Sequence, residues 1–333
     1  MIDVVLCDDS STARKQLLRA LPEDWPVTLH QASDGEQALD FVRSGKCQVL
    51  FLDLTMPVLD GYQTLARLRE EGLSCQVIVV SGDVQDQAVV RVMNLGARAF
   101  IGKPAAGEVI SRTLQDLGLY QPAALNSSSP LDAVQTLVSV SFRDALREVT
   151  NVAIGRSAAL LSKVLGVFVQ LPVPQVNLFE VSELHMTLLD AQRGEQYSAI
   201  CQGFIGEAIA GEALLLFHDS ELADMAQLLG RYPEDEVQTT EMLLDLASIL
   251  IGACLAGIAE QLDLRFSQSH PQLLGHRASL DELITVNRQR WRQTLAVEIS
   301  YSLEGHAVHF DLLLLFTEDS VARLTNKVSY LME

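Results

Sequence analysis

The sequence predicts two folds in tandem: a doubly wound α/β domain on a five-stranded parallel sheet, then an α+β domain that carries an internal duplication. Three observations predict this. Over the first 118 or so residues, five short apolar runs alternate with amphipathic stretches of helical period, the pattern of a parallel sheet covered on both faces. At 120–130 the stretch "YQPAALNSSSP" is rich in Ser, Asn and Pro and has no periodicity, which marks a linker. Beyond it, the chain overlays on itself when shifted by 97 residues. The division expected is therefore 1–119, a linker at 120–130, and 131–333.

The elements follow in order. "IDVVLC" (2–7), "VTLHQA" (27–32), "QVLFLD" (48–53), "QVIVVS" (76–81) and "ARAFIG" (97–102) are apolar and of strand length. "STARKQLLRALP" and "GYQTLARLREEG" read as helices between them. After the linker a helical pattern runs from about 131 to 166. Strands are expected near 174–180, 198–206 and 210–217, then a second long helix at about 237–263. Further strands near 267–274, 294–303 and 307–316 precede a closing helix. In the self-overlay "LREVTNVAIGRSAALLSKVLG" lies on "LLDLASILIGACLAGIAEQLD", so that Gly155 meets Gly252, Ala159 meets Ala256 and Leu165 meets Leu262. "LLLFHDSELADMAQLL" and "LLLFTEDSVARLTNKV" match at nearly the same offset, as two copies of one α/β unit would.

Composition narrows the function. Of 333 residues 48% are hydrophobic and 20% charged, a globular balance. The net charge is −19, from 43 acids against 24 bases, with no Lys/Arg run, so no nucleic-acid partner is expected. Cys7, Cys47, Cys75, Cys201 and Cys254 are scattered without paired spacing, which implies reduced thiols. No signal peptide is read at "MIDVVLCDDS", and no uncharged apolar stretch reaches about 18 residues. A cytoplasmic protein without a membrane span is the expectation.

In an open parallel sheet, ligands bind beyond the carboxyl ends of the strands. Asp8 and Asp9 stand at the end of the first strand, Asp53 at the third, Ser81 at the fourth and Lys103, before Pro104, at the fifth. Three crowded carboxylates call for a cation, and oxygen ligands suit Mg²⁺. A lysine and a hydroxyl at the same place suit phosphoryl oxygens. Asp53 can then act as nucleophile and carry an aspartyl phosphate.

This set resembles the receiver domain of two-component response regulators, over residues 1 to about 118. "MPVLDGY" after Asp53 matches the family's loop at Met56, Pro57 and Gly61. The resemblance implies that Asp53 is phosphorylated by a histidine kinase, that Asp8 and Asp9 hold Mg²⁺ with Asp53, and that Ser81 and Lys103 bind the phosphoryl oxygens. It places Phe100 at the switch aromatic, and Thr55 and Asp83 at positions that tune lifetime.

The second half poses a question at "DALREVTN" (144–151). Glu148 and Asn151 share a helical face, three residues apart. Asp144, Glu148 and Asn151 are followed, with 22 residues between, by Pro174. That spacing, with the duplication, resembles the CheC-type chemotaxis phosphatases over roughly 132–331. The resemblance implies a phosphatase that removes the phosphoryl group from a CheY-like receiver protein. Chemically, an Asn amide can donate and accept, so it can hold a water in line with a P–O bond. Glu148 can pair with the receiver's lysine. In the second copy the positions read Glu241, Asp245 and Ser248, again with 22 residues before Pro271, a degenerate site with shorter side chains.

Two other readings stand beside the phosphatase at the level of sequence. One is a module that docks a receiver or a chemotaxis or flagellar partner without hydrolysis. The other turns the enzyme on Asp53 of its own chain or of a homodimer partner, since a linker from Tyr120 to Pro130 spans at most about 35–40 Å.

Overall fold

The computed structural model describes residues 2–122, 140–180, 196–278 and 293–332. The chain forms two compact units, Met1–Glu148 with Leu331–Glu333, and Val149–Tyr330. Most of the expected linker lies outside the described residues, as does the stretch 131–139 where the long helix was expected to begin.

The first unit alternates as expected: β1 (Ile2–Cys7), α1 (Ser11–Ala20), β2 (Val27–Ala32), α2 (Gly35–Arg43), β3 (Val49–Leu52), α3 (Gly61–Glu70), β4 (Gln76–Ser81), α4 (Asp86–Leu95), β5 (Ala99–Gly102) and α5 (Gly107–Asp116). All strand pairs are parallel, in the order β2-β1-β3-β4-β5. The order reverses between β1 and β3, so the crevice above their carboxyl ends is where a ligand belongs. β3 is buried along its whole length, because side chains on both faces meet helices. Val5, Leu50, Leu52 and Val79 pack on one face, and Val4, Val49, Phe51 and Ile78 on the other. Side-chain caps start three of the helices: Ser10 accepts from the Ala13 amide, Asp34 from Gln37 and Asp60 from Gln63.

Helix α6 (Phe142–Leu165) starts in the first unit and continues in the second. Among the described residues it begins at Phe142 rather than near 131. Ser141 provides the physical reason, since its hydroxyl accepts from the Asp144 amide and so acts as an N-cap.

The second unit is α+β. Its strands are β6 (Val169–Gln170), β7 (Gln175–Glu180), β8 (Tyr197–Gly206), β9 (Ile209–His218), β10 (Ser267–Gln268), β11 (Gln272–Ala278), β12 (Gln293–Leu303) and β13 (His309–Thr317). Its helices besides α6 are α7 (Leu222–Leu228), α8 (Glu236–Gln261) and α9 (Glu318–Met332). The expected strand at 267–274 is split into β10 and β11 by Pro271, which has no amide proton for the ladder. Pro174 likewise falls in the gap between β6 and β7 and directly precedes β7. The repeated proline spacing thus marks the same strand start in both copies.

The duplication is visible in the pairing. The central strands β9 and β13 come one from each copy and pair antiparallel, with Leu214 opposite Leu313 and Phe217 opposite Phe310. Each copy also lends a strand to the other: β7 pairs with β12, and β11 with β8. Neither copy can complete its sheet alone.

Helix α8 has the length and apolarity of a membrane-crossing helix, with a mean hydropathy of 2.2 over its most apolar window. Its Leu243, Leu246, Leu250, Ile251, Leu255 and Ile258 are nonetheless buried within the protein, so packing accounts for the apolarity. It lies against α6 at Gly257, where an added Cβ would come within 2.9 Å of the Ala153 Cα. At Gly252 the same addition meets only the Gln268 carboxamide, at 3.8 Å. Gly257→Ala is therefore expected to destabilise the unit by about 1–3 kcal/mol through overpacking. Gly252→Ala should stabilise it by about 0.5–1 kcal/mol, the ordinary helix-interior gain. Denaturant unfolding of the two variants checks this, and equal effects would show that α6 and α8 are not in close contact.

Candidate functional site

The carboxyl ends of β1, β3, β4 and β5 bring the predicted phosphorylation residues together. Asp53 follows β3, and its amide donates to the Cys7 carbonyl (2.9 Å). Lys103 follows β5, and its amide donates to the Ser81 carbonyl (2.8 Å). Ser81 lies opposite Gly102 in the sheet register, so Ser81 and Lys103 occupy neighbouring strand ends. The Ser81 hydroxyl accepts from the Asp83 amide (3.2 Å). The Lys103 ammonium lies 2.7 Å from Asp8 Oδ2 and 3.5 Å from Asp53 Oδ1. Asp8 is fixed further by the Ser10 amide on its Oδ1 (2.9 Å), while Arg14 donates to its backbone carbonyl (2.5 Å).

The loop after Asp53 is shaped by its backbone. The Leu59 amide donates to the Pro57 carbonyl (2.9 Å) across Val58, which has φ 69°. That is a γ-turn on a β-branched residue, a rare and strained conformation. The turn returns the chain so that the Gly61 amide reaches the Leu54 carbonyl (3.0 Å). A Cβ at Gly61 would lie 2.3 Å from the Asp53 carbonyl oxygen, so only glycine lets α3 start this close to Asp53.

Carboxylate oxygens of Asp8, Asp9 and Asp53 all lie within 4.8 Å of one another. Asp9 Oδ2 and both Asp53 oxygens are buried and have no hydrogen-bond partner. Buried carboxylate oxygens left in this state fit a hard cation that takes oxygen ligands and keeps some of its water, as Mg²⁺ does.

Glu148, seven residues into α6 and inside the first unit, reaches the same lysine. Its Oε1 is 3.2 Å from the Lys103 ammonium, and the residue is only 3% exposed. The solvated helix face that Glu–x–x–Asn usually signifies is thereby excluded for Glu148. Asp144, four residues earlier, accepts from the Thr12 amide (3.1 Å) and from the hydroxyls of Ser11 and Thr12. Helix α1 has no acid in its own first turn, and Asp144 supplies that charge at its positive end. Arg147 lies 3.3 Å from Asp9 Oδ2 and 3.0 Å from Asp144 Oδ1.

The electrostatics follow from burial of one cation among several acids. Burial raises the Asp53 carboxyl well above the usual carboxylate range; Lys103 opposes this, and Asp8, Glu148 and Asp9 add to it. Burial also pushes Glu148 up to about 7, with Lys103 opposing and Asp8 adding. Burial and then Asp8 push Asp9 up to about 6, against Arg147 and Lys103. For Lys103, burial pulls the ammonium down, but Asp53, Asp8 and Glu148 outweigh it and hold the ammonium charged.

The remaining predicted residues are placed as follows. Phe100, in β5, packs half-buried against the core beneath the site. Asp83 is buried and accepts from the Gln85 amide and carboxamide, and from the Tyr62 hydroxyl (3.3 Å). Asn151 belongs to the second unit, is buried, and follows Glu148 on the same helix at a spacing that shares a face. The second copy differs: Glu241, Asp245 and Ser248 are exposed on α8. Asp245 is paired with Arg231 (2.8 Å), and the Ser248 hydroxyl donates to the Leu244 carbonyl of its own helix (2.9 Å). Sequence reasoning did not find Arg147. Its position, three residues after Asp144, was the available signal.

Residues 4–115 match the response regulator receiver domain. The chain is 37% identical over 109 residues to "Protein-glutamate methylesterase/protein-glutamine glutaminase 3" of Geobacter sulfurreducens, covering 32% of this chain and 29% of that protein. It is 32% identical over 131 residues to "Nitrate/nitrite response regulator protein NarL" of Escherichia coli, covering 38% of this chain and 60% of that protein. The chain thus spans less than two thirds of the length of these curated relatives. Among solved structures it is similar to Thermotoga maritima FliY, with a TM-score of 0.42 at 19% identity, covering 57% of this chain and 96% of that one. The N-terminal part is a response regulator receiver domain, the phosphoacceptor module of two-component signalling.

The raised acids set a pH dependence. Asp9 goes from 3.8 unfolded to about 6, and Glu148 from 4.5 to about 7, so the folded chain holds both protons more tightly. Their contribution to stability is greatest below the unfolded values and falls as pH rises through the folded ones, levelling near 7. With chelator present, the thermal midpoint should drop on the order of 5 °C between pH 5 and 7.5. Millimolar Mg²⁺ should restore it at pH 7.5, and Asp9→Asn should flatten the profile. A midpoint that rises with pH under chelation would contradict this assignment of charge.

Proposed function

We propose that this chain is a response regulator, phosphorylated on Asp53 by a histidine kinase, whose second domain is a CheC-type phosphatase acting on a phosphorylated CheY-like receiver. In the first reaction an Asp53 carboxylate oxygen bonds to the phosphorus as the bond to the kinase histidine breaks. Lys103 and the Ser81 hydroxyl hold the phosphoryl oxygens. Mg²⁺ held by Asp8, Asp9 and Asp53 would neutralise charge on the same oxygens. The protein is taken to work in the cytoplasm, where such a kinase would supply the phosphoryl group.

In the second reaction the substrate provides its own pocket, and α6 provides two side chains. Glu148 pairs with the substrate's lysine and seats the helix. Asn151 orients a water through its carboxamide, in line with the phosphorus. The water oxygen bonds to phosphorus as the bond to the aspartyl oxygen breaks, leaving a carboxylate and inorganic phosphate. The reaction needs no strong base, because it depends mainly on positioning and charge stabilisation. Asp245 and Ser248 form the degenerate counterpart, and their own ties to Arg231 and Leu244 leave little to present to a substrate.

One observation carries this reading: a buried glutamate on α6 pairs at 3.2 Å with the lysine of a receiver pocket. The chemistry that would dock α6 on a receiver is thus one that a receiver lysine accepts. The Glu148–x–x–Asn151 spacing and the exchanged duplication support the same family reading.

The test is phosphate release from a purified, phosphorylated single-domain receiver. The wild-type chain should accelerate release, and Asn151→Ala should lose about 10–100-fold of that acceleration. Glu148→Ala should weaken binding of the receiver. Binding that survives with no acceleration by the wild type would leave a docking module and end the enzyme reading.

A further inference from the structure

We infer that Cys47 and Cys75 form a peroxide-sensitive thiol pair, in which a hydroperoxide oxidises Cys75 and Cys47 resolves it to a disulfide. This goes beyond the function proposed above and does not depend on it.

The pair is not visible along the chain; the sheet makes it. β3 and β4 run parallel with Val49 opposite Gln76, and the Gln76 amide donates to the Gln48 carbonyl (2.8 Å). Continued by one residue, that register sets Gln48 beside Cys75, with Cys47 one residue out of step. Neighbouring strands lie about 4.8 Å apart and rise about 3.3 Å per residue, so Cα atoms one residue out of step are about 6 Å apart. Disulfides span about 4.4–6.8 Å between Cα atoms. Both side chains also turn to the same face of the sheet. Cys47 belongs to the core cluster of Leu50 and Leu52, and Cys75 packs against that cluster. The two thiols lie within hydrogen-bonding reach of each other, and both are free.

Their surroundings give them different roles. Cys75 is half-buried, whereas Cys7, Cys47, Cys201 and Cys254 are buried. Cys75 lines a surface pocket of about 330 Å³ with Leu65, Leu68, Leu73 and Val77, ample room for a hydroperoxide. The bond from Cys47 pulls the Cys75 thiol down, against burial. The same bond pushes the Cys47 thiol up, and burial adds to it. Cys75 is thus the sulfur that ionises and Cys47 the one that keeps its proton. Elsewhere burial pushes Cys254 up to about 12, and burial and then Asp8 hold Cys7 well above the ordinary thiol range. The reachable sulfur is the nucleophilic one, and a resolving thiol stands next to it.

The chemistry balances with the peroxide as oxidant. The Cys75 sulfur attacks one peroxide oxygen as the O–O bond breaks, giving a sulfenic acid, and the leaving oxygen departs as water with the thiol proton. The Cys47 sulfur then bonds to the Cys75 sulfur as the S–O bond breaks, and the sulfenic oxygen leaves as a second water with the Cys47 proton. Two thiols are oxidised to one disulfide, and a thiol reductant reverses the step. The bond would join the amino ends of β3 and β4, closing the segment that carries Asp53 and α3 into a ring. In a reducing compartment such a bond is transient and is formed by an oxidant.

The experiment treats the reduced full chain with hydrogen peroxide, quenches it, and alkylates the remaining thiols under denaturing conditions. In the wild type, peptide mapping should find Cys47 linked to Cys75, with Cys7, Cys201 and Cys254 alkylated, and dithiothreitol should restore both thiols. Cys75→Ser should consume peroxide roughly tenfold more slowly, because the thiol that remains keeps its proton. Cys47→Ser should carry Cys75 on to sulfinic acid, which dithiothreitol does not reverse. The wild-type map is decisive by itself, so a variant that folds poorly does not blur the result. Cys75 left unmodified in the folded wild type, Cys75 taken to sulfinic acid with Cys47 still free, or a covalent dimer through Cys75 would each overturn the pair.

Discussion

One buried ammonium organises the receiver unit's working end. Lys103 is only 8% exposed and faces Asp8, Asp53 and Glu148, with Asp9 close by. Without it, three carboxylates at the strand ends and a fourth on α6 would share a dry crevice, and most would have to take up protons. With it, one charge is answered in full and the others in part. The shortfall gives the site its chemistry. Unanswered oxygens on Asp9 and Asp53 select for a cation, and the crowding makes Asp53 a carboxylate that gains from any new positive neighbour.

The fold meets this electrostatic demand with backbone rather than with more side chains. The strand order places β1 and β3 side by side, so that Asp8, Asp9 and Asp53 converge without any long loop. The Val58 turn and the bare Cα of Gly61 then bring α3 down onto the Asp53 carbonyl. Strain at an exposed valine and the loss of a side chain at Gly61 are local costs. Both hold the Asp53 backbone in place while its carboxylate stays free of hydrogen bonds.

Much of this could be read from residues alone, and the boundary of legibility has a physical cause. The five apolar runs, the acids at their ends and Lys103 before Pro104 are local signals, since period and strand ends are properties of short segments. The duplication was legible because it recurs at a fixed offset, but strand exchange was not, because pairing partners lie about a hundred residues apart. The split of 267–274 is written in Pro271, which has no amide proton to continue the ladder. The burial of Glu148 was not legible at all. A Glu beside Arg147 on a helix reads as a solvated pair, and only the tertiary position of Lys103 makes it otherwise.

The two copies show what that tertiary position is worth. Glu148 and Asp245 occupy equivalent points on equivalent helices, yet one is buried on a lysine and the other is exposed on an arginine of its own unit. Ser248, where the first copy has Asn151, spends its hydroxyl on the carbonyl four residues back, the ordinary fate of a serine inside a helix. The two copies thus differ at equivalent points in burial and in side-chain length. Helix, spacing and following proline are retained in both copies, so the scaffold persists where the side chains differ.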